Sequence, residues 1–527
     1  MSAFTLSQAG VGLLGSLAQS APAAIAAMRL VPAASRMFAS SSDRSRSTPT
    51  RSPELFASTF GDIDATDYSD AARPVQNFLG LGSVHMPQAL NTEEPCTVTI
   101  AGGGNSAHVA AAVLGSNPSF QVRMWSTLDG EAARLNHAIK SSGGLIRCSY
   151  SDGKPPTSGR VAFATADPAE ALEDTDMLLL TAPSYTHAQF LRHAAPHLPR
   201  EGLYIGATVA QAGFDWMVHR ALRDADVPLP EALTIFAFEI LPWICRLDEF
   251  GKSVRVLGTK RALDMAVEPR VYGPAVADMM TALFAEPVCR KYPGGLRRMS
   301  HHAYPKFAAV PSFMGLSLMN VGAVWHPCLM YGRFKDWDKS TPFQEHLRLS
   351  KQIEPATSQL LNSVSVEILA IRAALEDRDP TMDLTNVSHI FDWILRAYPG
   401  DMADTSGLAR AIETNAAWRT LRHPMIQRDG GWFPDNASAY FSEDIPCGLV
   451  PIRGLAQLLD VPTPHIDEVL TWCQDMMGKE YLVDGQLVGR DVRETRAPQA
   501  YGVTCVRSLR SVVSAPVAQT AGGYSGI

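Results

Sequence analysis

Apolar and polar positions change rhythm twice along this chain. From Thr97 a short apolar run, TVTIA, breaks into Gly102, Gly103 and Gly104, after which small apolar residues return at helical spacing through Ala112. That order predicts a strand, a tight turn and a helix. Residues 121–125 read as a second strand. Residues 176–181 (DMLLLT) form a continuous apolar run, the pattern of a parallel strand buried on both faces, and Ala182 and Pro183 lead from it into a helical stretch through Leu198. Residues 203–207 and 234–238 supply two more strands. Strands alternating with helices predict a doubly wound sheet. Beyond about residue 296 strand signals become sparse. Residues 355–375 carry Leu360, Leu361, Val364, Val366, Leu369 and Ile371 at helical spacing, and residues 466–477 repeat the habit.

The expected fold class is therefore an α/β Rossmann domain followed by a mostly α-helical domain. Its divisions are an extension at 1–50, a lead-in at 51–93, a dinucleotide-binding domain at 94–295, a helical substrate domain at 296–510 and a Ser/Gly/Ala-rich flexible tail at 511–527. A length of 527 residues suits two domains plus extensions.

A hydrophobic content of 46% and a formal charge of −7 describe a globular chain with ample core and no general pull toward nucleic acid or an anionic membrane. Eight scattered cysteines, none in a C-x-x-C pair, predict neither a zinc site nor a disulfide framework, so no metal is expected. Residues 1–50 are rich in Ser and Ala, with Arg29, Arg36, Arg44 and Arg46 against one acid, Asp43. They read as a mitochondrial or plastid transit peptide or as a disordered extension, which leaves the location cytoplasmic or mitochondrial. Residues 11–28 are uncharged, but Pro22, Gln19 and several serines make them a poor membrane span.

The glycine turn carries the first candidate chemistry. Gly102, Gly103, Gly104, Asn105, Ser106 and Ala107 fit G-x-G-x-x-G/A. Gly102 permits the turn, Gly104 lets backbone approach a pyrophosphate, and Ala107 allows close helix packing. The helix that follows offers unpaired N–H groups and a positive dipole end to the phosphates. The second strand lacks the usual terminal acid that bonds the adenosine ribose. It ends in Trp125, Ser126 and Thr127, with Asp129 a little later; the hydroxyls of Ser126 and Thr127 suit a ribose or a 2′-phosphate equally, so NAD is expected with NADP open.

His326 lies in the largely apolar 322–328 segment, GAVWHPC, where a histidine is more often a core residue than a catalyst. Asp444 precedes Pro446 and reads as a turn or cap aspartate, with Glu443 a rival carboxylate. His301 and His302 look like a surface pair and His423 structural.

The chain from Pro95 to Gly502 resembles the opine dehydrogenase family, most of all its invertebrate octopine/tauropine type. The resemblance rests on GGGN at 102–105, QAGF at 211–214, LPWICR at 241–246, Asn320 separated by five residues from His326 and Pro327, YGRFKDWD at 331–338 and HPM at 423–425. DGGWFPD at 429–435, YFSEDIPCGL at 440–449, GKEYLV at 478–483 and RAPQAYG at 496–502 follow in the same order. It implies substrates held between a Rossmann and a helical domain: an amino acid and an α-keto acid such as pyruvate, whose imine is reduced with NAD(P)H. It implies His326 as catalytic acid/base with Asp444 fixing its tautomer, Gln211 and Asn320 beside His326 at the substrates, and Cys245 close to the cofactor. The oligomeric state, monomer or dimer, stays open.

Two positions depart from the family. Ala439 stands where octopine-type members carry a carboxylate-gripping arginine, and Ile240 where threonine is common. Another cation, Arg246, Arg333 or Arg453, must then hold the carboxylate, or the substrate differs. Two other readings follow: a 2-keto acid reductase using the same apparatus, or a nucleotide-binding protein that has lost turnover.

Overall fold

The computed structural model describes residues 95–513 apart from 201, 229, 231, 292–296, 352 and 429. The expected transit peptide and lead-in up to residue 93, the tail from residue 514, and the side chains of His301 and His302 lie outside the described residues.

The first half runs β1 (Cys96–Ala101), α1 (Asn105–Leu114), β2 (Phe120–Trp125), α2 (Glu131–Ser141), β3 (Leu145–Tyr150), β4 (Thr157–Arg160), β5 (Phe163–Thr165), α3 (Pro168–Leu172) and β6 (Met177–Leu180). It continues with α4 (His187–Ala194), β7 (Tyr204–Ala207), α5 (Phe214–Asp224), β8 (Thr234–Phe238), β9 (Trp243–Glu249), β10 (Ser253–Thr259), β11 (Ala262–Glu268), α6 (Gly273–Phe284), β12 (Glu286–Lys291), β13 (Arg297–Tyr304) and β14 (Lys306–Ala309). Eight strands form one sheet in the order β14-β11-β8-β7-β6-β1-β2-β5. Strand order reverses about β1, the doubly wound arrangement that opens a ligand crevice at the carboxyl ends of the strands. All four residues of β6 are fully buried, as its unbroken apolar run requires. At roughly 1.5–3 kcal/mol per buried aliphatic side chain, such strands anchor the domain.

Two features differ from the sequence reading. β14 pairs parallel to β11, so the sheet takes its last strand from beyond residue 295, where polar neighbours mask a four-residue strand. A second sheet, β4-β3-β10-β9, packs beside α1; its short strands mix charged and apolar residues and give no continuous run. The small residues of α1 permit this closeness. A Cβ added at Gly159 in β4 would lie 2.4 Å from the carbonyl oxygens of Ala111 and Ala112.

The second half is mostly helical, with two short hairpins (Met425–Arg428 with Gly431–Pro434, and Leu482–Val483 with Gln486–Leu487): α7 (Phe313–Leu318), α8 (Val321–Phe334), α9 (Pro355–Arg378), α10 (Ile390–Ala397), α11 (Leu408–Thr414), α12 (Ala439–Ser442), α13 (Val450–Leu459), α14 (Pro464–Met477) and α15 (Val506–Val513). α9 buries Leu360, Leu361, Val364, Ile368, Ile371 and Leu375 along one stripe, whereas Val366 is 52% exposed on the far side. α15 runs to residue 513, past the expected boundary at 510. By composition Phe313–Phe334 is long and apolar enough to cross a membrane, yet it is almost wholly buried in the core.

The halves are joined by polar groups as well as apolar ones. Arg396 of α10 donates to Asp264 Oδ1 at 2.7 Å and lies 3.5 Å from Glu239 Oε2 at the end of β8. Arg496 donates to the carbonyls of Ala210, at 2.9 Å, and Ser184, at 2.6 Å.

Candidate active site

Gly102 has φ +128, a conformation that L side chains rarely adopt, and a Cβ there would lie 2.8 Å from Thr181 Oγ1. Its N–H bonds the carbonyl of Trp125 at 2.8 Å, closing β1 against the end of β2. A Cβ at Gly104, the cap of α1, would meet nothing within 4 Å, so open space lies above the helix N-terminus. This clearance, with unpaired N–H groups facing it, fits a dinucleotide pyrophosphate. Ser106 Oγ donates to the Thr181 carbonyl at 3.0 Å, Asn105 Oδ1 accepts from Leu247 N at 2.7 Å, and Ala107 is fully buried. Those two polar side chains therefore brace the turn. So does His108, overlooked in sequence: Nδ1 contacts the Gly104 carbonyl at 2.8 Å, and Nε2 accepts from Gly251 N at 2.8 Å. Burial lowers its pKa, which suits the neutral ring this pattern demands.

At the end of β2, Ser126 is buried and donates its hydroxyl proton to Glu131, the first residue of α2; Thr127 is half-buried beside it. The Glu131 carboxylate lies 2.6 Å from where a Gly103 Cβ would stand. Cys245, expected close to the cofactor, is a core residue of the sheet half. Burial pushes its thiol up to about 11 against the charges of Arg246 and Lys260, so it packs as a small hydrophobe.

On the helical side, His326 Nδ1 and Asp444 Oδ2 are 2.7 Å apart. Tyr440 stacks on the imidazole with ring centroids 3.6 Å apart and an 8° interplanar angle. Asp444 Oδ1 accepts from Gln211 Nε2 at 2.9 Å, and Gln211 Oε1 accepts from Asn320 Nδ2. Gln211 and Asn320 are thus buried behind the carboxylate, forming a chain that ends at the imidazole. Asn320 also caps α8, accepting from Ala323 N at 3.3 Å, so the helix carrying His326 starts at this network. Gly322 and Gly448 provide the room: a Cβ at Gly448 would lie 2.3 Å from Ala323 Cβ and 2.8 Å from Asn320 Nδ2. Asp444 leads into a single π-helical turn, Ile445–Leu449, a distortion frequent where helices carry function.

Glu443, the rival carboxylate, faces elsewhere. Its Oε1 accepts from Ser184 N at 3.0 Å and from the Ser184 hydroxyl. Burial, then the Asp444 charge, raises its pKa, while the bonds from Ser184 act against the rise. Ser184 follows β6, whose end packs against Gly102. Through Thr181, Ser184, Glu443 and Asp444, the glycine turn and His326 therefore border one junction between the two halves.

Arg453 is not free for a substrate: its guanidinium bonds Asp467 and, at 2.7 Å, the Gly485 carbonyl. Arg246 is exposed on β9, donates to its neighbour's carbonyl at 2.8 Å, and places its charge near Tyr440. Arg333 places its charge near His423, whose pKa burial lowers to about 3, as befits a core residue. Among the described residues, no group of three His, Cys, Asp or Glu is placed to hold a metal.

Residues 309–477 match the family described as NAD/NADP octopine/nopaline dehydrogenase, alpha-helical domain. The tauropine dehydrogenase of Arabella iricolor is 33% identical over 415 residues, 78% of this chain and 99% of that protein. The octopine dehydrogenase of Mizuhopecten yessoensis is 33% identical over 78% of this chain and 98% of its own length. A solved octopine dehydrogenase with NADH and agmatine superposes with a TM-score of 0.67 at 30% identity, covering 80% of this chain and 98% of the other. Extended identity, the shared two-part fold and the matching helical domain together mean that the chain belongs to the opine dehydrogenase family, NAD(P)-dependent oxidoreductases acting on CH–NH donors.

Proposed function

We propose that this protein condenses an amino acid with a small α-keto acid and reduces the resulting imine, with His326 as general acid/base and Asp444 orienting it. The observation that carries the reading is the 2.7 Å contact between His326 Nδ1 and Asp444, set at the junction that the glycine turn also borders. With Nδ1 facing the carboxylate, Nε2 is the nitrogen free for proton transfer. It accepts a proton from the ammonium group of the amino acid, freeing the amine to attack the keto carbon, and returns that proton to the carbinolamine hydroxyl as water departs, leaving a protonated imine. A nicotinamide dinucleotide held over the glycine turn would supply the hydride that converts the protonated imine to the secondary amine. Tyr440 holds the imidazole plane, and the buried Gln211 and Asn320 keep Asp444 from rotating.

The substrate class follows from relatives. Solved octopine dehydrogenases hold NADH with L-arginine or with pyruvate, and an amino acid plus pyruvate is the corresponding pair here. Ala439 cannot grip a carboxylate. Arg246, exposed and near Tyr440, takes that role, with Arg453 engaged by Asp467.

The test incubates the purified protein with NADH, pyruvate and pooled amino acids and searches for a new secondary amine by mass spectrometry. NADH oxidation that depends on the amino acid is expected. Oxidation by pyruvate alone would instead describe a 2-keto acid reductase, and binding without oxidation a protein that has lost turnover.

A further inference from the structure

The second strand lacks the acid that commonly accepts from the adenosine ribose, and the start of α2 supplies one from another place. We propose that Glu131 is the ribose-binding carboxylate of this protein and that it sets a preference for NADH over NADPH. This rests on the dinucleotide-binding part of the proposed function.

Three contacts bring Glu131 to the position. Gly130, at φ +68, reverses the chain into α2, and Glu131 N donates to the Leu128 carbonyl at 3.0 Å, closing a tight loop. Ser126 Oγ, just past the end of β2, accepts from Leu128 N at 3.3 Å and donates to Glu131 Oε2. The carboxylate in turn packs over Gly103, where an added Cβ would lie 2.6 Å from Oε2 and 2.7 Å from Cδ. It therefore sits between the glycine turn and the end of the second strand, where the adenosine ribose of a dinucleotide lies in this fold.

Ser126 uses only part of the acceptor capacity of the carboxylate, leaving lone pairs for ribose hydroxyls. A 2′-phosphate brought to the same place would set like charges side by side. The side chain of Leu128, 64% exposed on the same loop, supplies apolar cover at the adenosine end. The rival group is Arg134, one turn further along α2, with Nη1 3.3 Å from the Cβ position of Gly130, because a guanidinium there suits a 2′-phosphate.

The experiment titrates NADH and NADPH into the wild-type protein and the Glu131→Gln and Arg134→Ala variants, without substrates, following nicotinamide fluorescence. The wild type is expected to bind NADH at least about tenfold more tightly than NADPH. Glu131→Gln should reduce that ratio by about tenfold or more, and retained NADPH binding would show an intact fold. An unchanged ratio in Glu131→Gln, or a wild type that favours NADPH and loses that preference in Arg134→Ala, would overturn the assignment while leaving the dehydrogenase reading intact. Failure of the wild type to bind either dinucleotide would overturn both.

Discussion

Glu443 of the helical half accepts from both the backbone N–H and the hydroxyl of Ser184 in the sheet half, and the next residue along holds His326. This carboxylate therefore ties the imidazole-bearing side to the nucleotide-binding side, together with the Gln211–Asp444 bond and the Arg496 bonds to Ala210 and Ser184. Ser184→Ala removes one of the two bonds and leaves a buried carboxylate partly satisfied. A loss of about 1–3 kcal/mol in denaturant unfolding is expected.

His326→Ala should lower kcat by about 100-fold or more while NADH affinity stays within about twofold. Asp444→Asn keeps the shape but presents an amide that no longer enforces the Nδ1–H tautomer, and it should fall by a similar factor. Steady-state rates paired with fluorescence titration check both. Unchanged turnover in either variant would remove the pair from the mechanism.

Gly448→Ala inserts a methyl 2.3 Å from Ala323 Cβ and 2.8 Å from Asn320 Nδ2. Backbone must shift to admit it, at a cost of about 1–3 kcal/mol, and the shift falls on the groups behind Asp444. Thermal unfolding should reveal the loss, and kcat should fall with it.

Burial, then the neighbouring Asp264, pushes the Glu239 carboxyl up to about 8, against the opposing charge of Arg396. The folded protein holds this proton at pH values where the unfolded chain has released it. The contribution is complete below the unfolded pKa of about 4.3 and is lost as pH rises toward about 8. The melting temperature should therefore decline across that window, and Glu239→Gln should flatten the decline. A slope equal to that of wild type would show that other groups govern it.

Arg246→Gln removes the cation proposed for a substrate carboxylate. KM for the keto acid or the amino acid should rise about tenfold or more, with NADH affinity little changed. Initial-rate kinetics with each substrate varied in turn check this. A KM unaffected for both substrates would return Arg333 to consideration.

Much of this architecture is legible in the chain because periodicity reports burial. The run at β6 is apolar without interruption since both faces of that strand are covered, and α9 announces itself by the spacing of Leu360, Leu361, Val364 and Ile371. Val366 misleads because one apolar residue on the solvent face breaks no rule of composition. The β4-β3-β10-β9 sheet is hidden by its mixed short strands. The site is legible through local motifs at Gly102, His326 and Asp444, but three-dimensional partnerships are not. Nothing in the neighbourhood of Glu131 marks it as reaching Ser126, and nothing around Gln211 foretells that its amide meets a carboxylate 233 positions away.

The bond from Gln211 to Asp444 runs from one half of the molecule to the other. Alignment of the proton-transfer group thus reports on how the halves are seated, beyond its dependence on local sequence. A substitution far from the imidazole that lets the two bodies drift apart by a fraction of a hydrogen bond would detune the reaction while the dinucleotide stayed bound. Such variants would look like defects in chemistry although their origin is mechanical.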